Sequence, residues 1–257
     1  MKLSLCIATY NEEKFIHYPL DSAYNLADEV IIIDGSSIDK TVEKAKSYGD
    51  KVKVYVEDNP PMFHINKQKA LTHVKGDWIL QLDADEALSK ELKQEIIELL
   101  SSSEKQTFDA YKIPRKNFFL TRFLKKGGQY PDYTIRLYKS GKAHFPCKSV
   151  HENVEINGKI GSLKKPLLHY ADLDFSRYMA RWNRYTTLDA DILIKENKKT
   201  CFLSYFVFKP ISWFLKTYIR HKGFVDGFPG FVFALFSSIK FWTIYVKVYK
   251  KRKEAQA

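Results

Sequence analysis

Four short apolar runs in the first 83 residues, each ending in a polar or acidic cluster, constrain this chain more than any other feature. Residues 3–8, 30–34, 52–57 and 78–82 are five or six residues long and rich in Val, Ile and Leu. Between and after them lie stretches with helical periodicity: 12–26, 40–48, 64–74 and 89–100. The last of these opens on Ser89 as N-cap and carries Leu92, Ile96, Leu99 and Leu100 on one face. Strand–helix units repeated at this spacing predict a parallel sheet covered on both faces. Ligands of such sheets bind beyond the carboxyl ends of the strands, where the polar clusters fall.

Residues 106–170 change character, with short strand-like pieces at 110–114, 134–138, 150–156 and 167–170 separated by glycine turns. From Asp174 the chain reads as helical. The spacing predicts a catalytic domain over 1–172, with a first half at 1–105 and a second at 106–172, followed by a helical extension over 173–257. Charge follows the same division. Residues 1–105 carry 13 basic and 19 acidic side chains, 106–194 carry 16 and 8, and 195–257 carry 13 and 3. An acidic first half with a basic tail argues against nucleic acid as partner, since a binding face would gather the basic residues along one track. In the tail, Phe, Trp and Tyr alternate with lysines, a composition suited to helices lying in a lipid headgroup region. A helical cap or an oligomer contact would use the same residues. The uncharged run 227–239 has 13 residues, short of the roughly 20 a spanning helix needs.

A content of 45% hydrophobic and 28% charged residues excludes a disordered or collagenous chain. Cys6, Cys147 and Cys201 have no metal-type spacing and point to a reducing compartment rather than a disulfide framework. The first residues run straight into polar Thr9-Tyr10-Asn11-Glu12, which does not read as a signal peptide.

The strongest chemical signal is Asp83-Ala84-Asp85-Glu86 at the end of the fourth apolar run. Like charges this close need a compensating cation or donors, and oxygen ligands suit Mg2+ or Mn2+ that also holds phosphate. An acidic turn before a helix would look similar. Two further clusters, Thr9–Glu13 and Asp34–Asp39, end the first and second runs, so the strand-end rule brings all three to one sheet edge. There Tyr10 can stack on a base and Asp34 can accept from one.

The segments Ala8-Thr9-Tyr10-Asn11-Glu12, Asp34-Gly35-Ser36-Ser37-Ile38-Asp39, Gly76-Asp77-Trp78 and Leu82-Asp83-Ala84-Asp85-Glu86 resemble glycosyltransferase family 2. So do Gly127-Gly128-Gln129-Tyr130-Pro131-Asp132, Arg136-Leu137-Tyr138, Val150-His151-Glu152, Asn183-Arg184-Tyr185 and Gly223-Phe224-Val225-Asp226-Gly227. The set is similar to the branch holding bacterial lipopolysaccharide-core glucosyltransferases. The resemblance implies an α/β GT-A fold, with a mostly parallel, Rossmann-like sheet flanked by helices and a membrane-associating helical extension. It also implies an inverting transfer of a hexose from a nucleotide diphosphate sugar, UDP-linked in first place, to a lipid-linked glycan, with Mn2+ or Mg2+ as cofactor. The expected location is the cytoplasmic face of the membrane, peripheral or monotopic.

Carried over by position, Thr9, Tyr10 and Glu12 lie along the nucleoside and Asp34 on the base. Asp83 falls on the ribose side, Ala84 lies within the motif, and Asp85 holds the metal. Lys67 and Gln68 are further donor-site residues. Arg136 counters the diphosphate or pairs with a carboxylate. Asp132 is the expected acceptor-side base and Glu152 its rival. His151 is a further metal ligand or an acceptor contact. Two alternatives stand beside this reading: a non-catalytic nucleotide-binding scaffold on the membrane, and a sugar nucleotidyltransferase, which would want a Gly-rich basic loop after the first strand.

Overall fold

The β-branched runs form strands because all-buried positions favour them on a sheet covered from both sides. The computed structural model describes residues 1–102, 107–147 and 153–255. Its first elements are β1 (Leu3–Thr9), α1 (His17–Ala23), β2 (Glu29–Asp34), α2 (Thr41–Lys46), β3 (Val52–Val56), α3 (His64–Thr72) and β4 (Trp78–Asp83). β5 (Glu86–Leu88), α4 (Lys90–Leu100), β6 (Ala110–Phe119), β7 (Arg122–Phe123), β8 (Asp132–Lys139) and β9 (Ala143–His144) follow. The chain continues through β10 (Glu155–Ile156), β11 (Ile160–Ser162), β12 (Leu167–Asp172) and α5 (Phe175–Lys195). It ends in α6 (Lys209–Phe214), flanked by π-helical turns at Ser204–Phe208 and Leu215–Arg220, and in α7 (Gly227–Glu254).

The sheet runs β3-β2-β1-β4-β8-β6-β12-β5. β3, β2, β1 and β4 are parallel, whereas β8 is antiparallel to β4 and β5 antiparallel to β12. The parallel arrangement expected of the first half is found there, within a mostly parallel sheet. Register sets Thr9 opposite Asp34 and Ala8 opposite Asp83, so three strands finish in line. The helix expected over 12–26 shrinks to α1. Side chains of the next turn capture the backbone N–H groups that would have opened it: Glu12 N–H donates to Thr41 Oγ1 (2.8 Å) and Glu13 N–H to Asp39 Oδ2 (3.1 Å). Ser89 caps α4 as expected, accepting from Leu92 N–H at 3.1 Å.

The chain clusters into two compact units. One comprises Met1–Arg115 and Tyr133–His169, the other Lys116–Asp132 and Tyr170–Ala257. Segment 116–132 thus groups with the C-terminal helices. Its β6–β7 hairpin buries Phe119 and Leu124 against Tyr178 of α5 and Val232 of α7. In the first unit, Leu5, Ile7, Leu20, Val30, Ile32 and Leu80 form the main core.

Within the second unit, α7 packs along α5 and α6. The helix runs unbroken through Lys240, so the 13-residue run is only part of a longer element. Gly223–Glu254 is long and apolar enough to cross a membrane by length and composition, and 22% of its most apolar window is buried. Charged and polar contacts tie its second half to α5. Lys247 Nζ donates to Asn183 O, Asn183 Oδ1, Thr186 Oγ1 and Thr187 Oγ1 at 2.7–2.8 Å, and Lys251 pairs with Asp191.

Candidate functional site

The carboxyl ends of β1, β2 and β4 hold the three polar clusters. Thr9, the last residue of β1, is buried, and its hydroxyl has no hydrogen-bond partner among the described residues. Tyr10, just beyond, is 43% exposed. Asn11 adopts a left-handed φ of 54°, and its N–H donates to Ser37 Oγ (2.8 Å) while its Oδ1 accepts from Ile38 N–H (2.9 Å). These bonds lock the first and second clusters together. Asp34 is the last residue of β2. It is fully buried, and both of its oxygens accept from Ser37, from the backbone N–H at 2.8 Å and from the hydroxyl at 2.5 Å. A carboxylate that closes a tight turn in this way orders the loop that follows β2.

The Asp83–Glu86 cluster divides into two parts with opposite fates. Asp83 lies between Lys67 and Arg136, with an ion pair to each. Glu86 is completely buried. Its Oε2 accepts Asp83 N–H (3.0 Å), while Oε1 accepts from Arg136 (2.8 Å) and Arg115 (3.4 Å). Burial disfavours charge on Asp83, but the Arg136 guanidinium and the Lys67 ammonium outweigh it and hold the carboxyl well below the ordinary carboxylate range. Burial in turn pushes the Lys67 amine down, against the pull of Asp83. Arg136 therefore pairs with carboxylates, the second of its two expected roles. Three cationic side chains thus compensate the crowded charge at Asp83 and Glu86 from inside the protein. Ala84 packs into the core, and Gln68 Oε1 accepts Phe145 N–H at 2.8 Å.

Asp85 meets a different partner, from the neighbouring strand β12. β5 pairs with β12 so that Glu86 stands opposite His169, which brings His169 Nε2 to 3.5 Å from Asp85 Oδ1. A carboxylate and an imidazole in contact at a strand edge fit a divalent cation that takes its remaining oxygens from a phosphate ligand and water. Among the described residues no group of three metal-ligating side chains comes together. His169 was not among the expected site residues. Its only sequence signal is a polar residue inside the apolar strand Leu167-Leu168-His169. His151 and Glu152 lie outside the described residues.

On the α3 side of this edge is a cavity of about 230 Å³ lined by His64, Lys67, Lys112, Tyr133, Arg136 and Phe145, among others. The buried Nε of Arg136 has no hydrogen-bond partner among the described residues, and Lys112 Nζ sits 5.0 Å from the centre of the Tyr133 ring. Lys67, Lys112 and Arg136 make the cavity cationic among apolar and aromatic neighbours, which suits an anionic ligand.

In the second unit, Asp132 Oδ2 accepts from Asn117 Nδ2 at 3.3 Å, and the same amide donates to Gln129 O at 3.4 Å. Asn117 lies on β6 and was not recognised from sequence.

Residues 4–154 match the family described as Glycosyl transferase family 2. An uncharacterized glycosyltransferase of Rickettsia bellii is 35% identical over 243 residues, covering 90% of this chain and 80% of its own length. The lipopolysaccharide core biosynthesis glycosyltransferase LpsC of Rhizobium meliloti is 27% identical, covering 98% of this chain and 93% of its own. Two solved structures share the fold at low identity. One is S. aureus TarS 1-349 in complex with UDP-GlcNAc, with a TM-score of 0.52, 19% identity and coverage of 94% and 81%. The other is the mannosyltransferase PcManGT from Pyrobaculum calidifontis in complex with GDP-Man and Mn2+, with a TM-score of 0.55, 13% identity and coverage of 96% and 87%.

Proposed function

The chain belongs to glycosyltransferase family 2, with a GT-A-like fold, and from that premise we propose that it is a metal-assisted, inverting hexosyltransferase of lipopolysaccharide or related surface-glycan synthesis. The observation that carries this reading is the strand-end row of Thr9, Asp83 and Asp85, with His169 against Asp85. A UDP-linked donor is the first choice, in keeping with the UDP-GlcNAc complex of the TarS relative. Thr9 offers its unpartnered hydroxyl to the nucleoside, and the exposed Tyr10 ring offers a stacking face. Glu12 lies at the same strand end. Lys67 and Arg136 hold Asp83 rigid and present a cationic wall to the diphosphate.

Asp85 and His169 would hold the cation, and the imidazole weighs towards Mn2+ over Mg2+. When bound, the metal neutralises charge on the departing diphosphate. Asp132, the residue immediately before the cavity-lining Tyr133, takes the proton from the acceptor hydroxyl. The acceptor oxygen then bonds to the anomeric carbon from the face opposite the leaving diphosphate oxygen, so the configuration inverts. Glu152 is the alternative base. Calorimetry with UDP, GDP and CMP, with and without Mn2+, tests the site. One nucleotide should bind in a metal-dependent way, and Asp85→Ala should weaken it by about tenfold or more, roughly 1.4 kcal/mol. Equal binding by wild type and Asp85→Ala would overturn the assignment.

The acceptor is a lipid-borne glycan on the cytoplasmic leaflet, reached from the bilayer surface. Phe208, Ile211, Leu215 and Ile219 are each more than half exposed, repeat at helical spacing, and alternate with Lys209, Lys216 and Arg220. That face suits an anionic headgroup layer. α7 lies alongside the polar helix α5, to which Lys247 and Lys251 bind it, and this favours a surface-lying protein over a spanning one. Flotation with phosphatidylglycerol vesicles should recover the protein at low salt and lose it at high salt. Salt- and alkali-resistant insertion would instead indicate a spanning α7.

A further inference from the structure

Asp226 is the most completely buried carboxylate of the helical unit, at 1% exposure, and nothing in the transfer chemistry above uses it. Its partners lie about a hundred residues earlier in the chain. Oδ1 and Oδ2 accept Lys125 N–H at 3.1 and 2.9 Å, Oδ2 accepts Lys126 N–H at 2.8 Å, and Arg122 Nε lies 3.8 Å from Oδ1. A buried carboxylate is tolerated when backbone N–H groups converge on it, and here two successive amides do so. The next amide is held as well, since Gly127 N–H donates to His221 O at 2.9 Å.

The turn that carries Asp226 is itself fixed. Lys222 and Gly227, on either side of the 3-10 turn Gly223–Asp226, have φ of 56° and 63°. A Cβ on Gly230 would lie 2.1 Å from Gly223 O, so the first turn of α7 sits directly on this turn and no larger residue fits. Past Gly127 the chain passes through a second left-handed glycine, Gly128 (φ 75°), and reaches Asp132 five residues later. Asn117 braces that stretch at both Gln129 and Asp132.

We propose that Asp226 is a positioning residue for glycosyl transfer: its carboxylate anchors the start of the loop whose end presents Asp132, so the C-terminal helices set the geometry of the acceptor-side base. The proposal rests on the assignment of Asp132 as that base. Asp226→Asn keeps size and shape but turns an N–H donor towards the loop amides. A small displacement of a reacting group is enough to cost rate without costing ligand affinity.

The test uses the purified full chain. Its readouts are calorimetric nucleotide binding and release of nucleoside diphosphate from UDP-glucose, UDP-N-acetylglucosamine or GDP-mannose, with a membrane glycolipid extract as acceptor. Asp226→Asn should bind nucleotide within about threefold of wild type while kcat falls about 10- to 100-fold. Asp226→Glu, which restores the charge, should recover part of the loss. The double variant Asp226→Asn/Asp132→Asn should be no slower than Asp132→Asn alone. Wild-type kcat in Asp226→Asn, or a double variant slowed by the full product of the two effects, would overturn the proposal. If Asp132→Asn is itself fully active, the base moves to Glu152 and the proposal falls with the assignment. Should Asp226→Asn not fold, Lys126→Pro removes one donor from an exposed residue and leaves the carboxylate in place, with the same outcomes expected.

Discussion

The two compact units solve the problem of stability with different chemistry. The sheet unit is aliphatic at its centre, and its one dense polar feature is an internal lattice in which Lys67, Arg136 and Arg115 neutralise Asp83 and Glu86. The helical unit is held by aromatic edges. Phe119 meets Tyr178 at 4.9 Å and Phe233 at 5.6 Å, both ring pairs close to perpendicular. Nearby, Phe175 meets Phe236 at 5.2 Å in the same manner. The difference teaches where each unit tolerates change. A charge lattice fails when one member is removed, because the others stay buried and unpaired. An aromatic cluster loses its contacts one at a time.

Arg136→Met should show this most strongly. It strips Asp83 and the fully buried Glu86 of their shared partner, and a destabilisation of about 3–5 kcal/mol is expected by urea unfolding. A loss below about 1 kcal/mol would mean that Lys67 and Arg115 suffice. Phe119→Leu, the counterpart in the helical unit, keeps apolar bulk but forfeits two ring contacts, for an expected loss of about 1–3 kcal/mol in the same measurement. A larger loss than that of Arg136→Met would reverse the comparison.

The smallest effect sharpens the charge side of the contrast through pH. Burial raises the Glu29 carboxyl, but the Ser4 hydroxyl (2.7 Å), the Lys75 N–H (2.6 Å) and the Lys53 ammonium outweigh it and set it below its ordinary value. A value lower in the folded state than in the unfolded one contributes stability that is full above about pH 4.3 and is lost as pH falls through the folded value. Glu29→Gln should therefore cost about 1 kcal/mol at pH 7. The gap to wild type should close as the pH is lowered below that of an ordinary carboxylate. Unfolding midpoints that stay parallel down to pH 3 would remove Glu29 from the list of stabilising carboxylates.

These elements differ in how far they could be read beforehand. The strands β1, β2 and β4, the capped helix α4 and the gathering of polar clusters at one sheet edge were legible, because an all-buried run with a polar end has few ways to fold. The roles of individual side chains were less so. Asp34 and Gln68 were expected at the donor site, but the hydrogen bonds that orient them, from Ser37 and from Phe145 N–H, could not be read beforehand. The contacts of His169, Asn117 and Asp226 were not legible, since each has its partner between 15 and 101 positions away in the chain.

By itself the sequence determined the family, the parallel half of the sheet and the position of the acidic motif, all of which follow from local period and short-range pattern. Tertiary structure alone decided that Asp83 and Glu86 share Arg136 while Asp85 meets His169. It also decided that segment 116–132 belongs with the helices and that the longest apolar helix is bound to a polar neighbour. The physical reason is the same in each case. Charge compensation and packing are settled between residues distant in the chain, and no local periodicity records them.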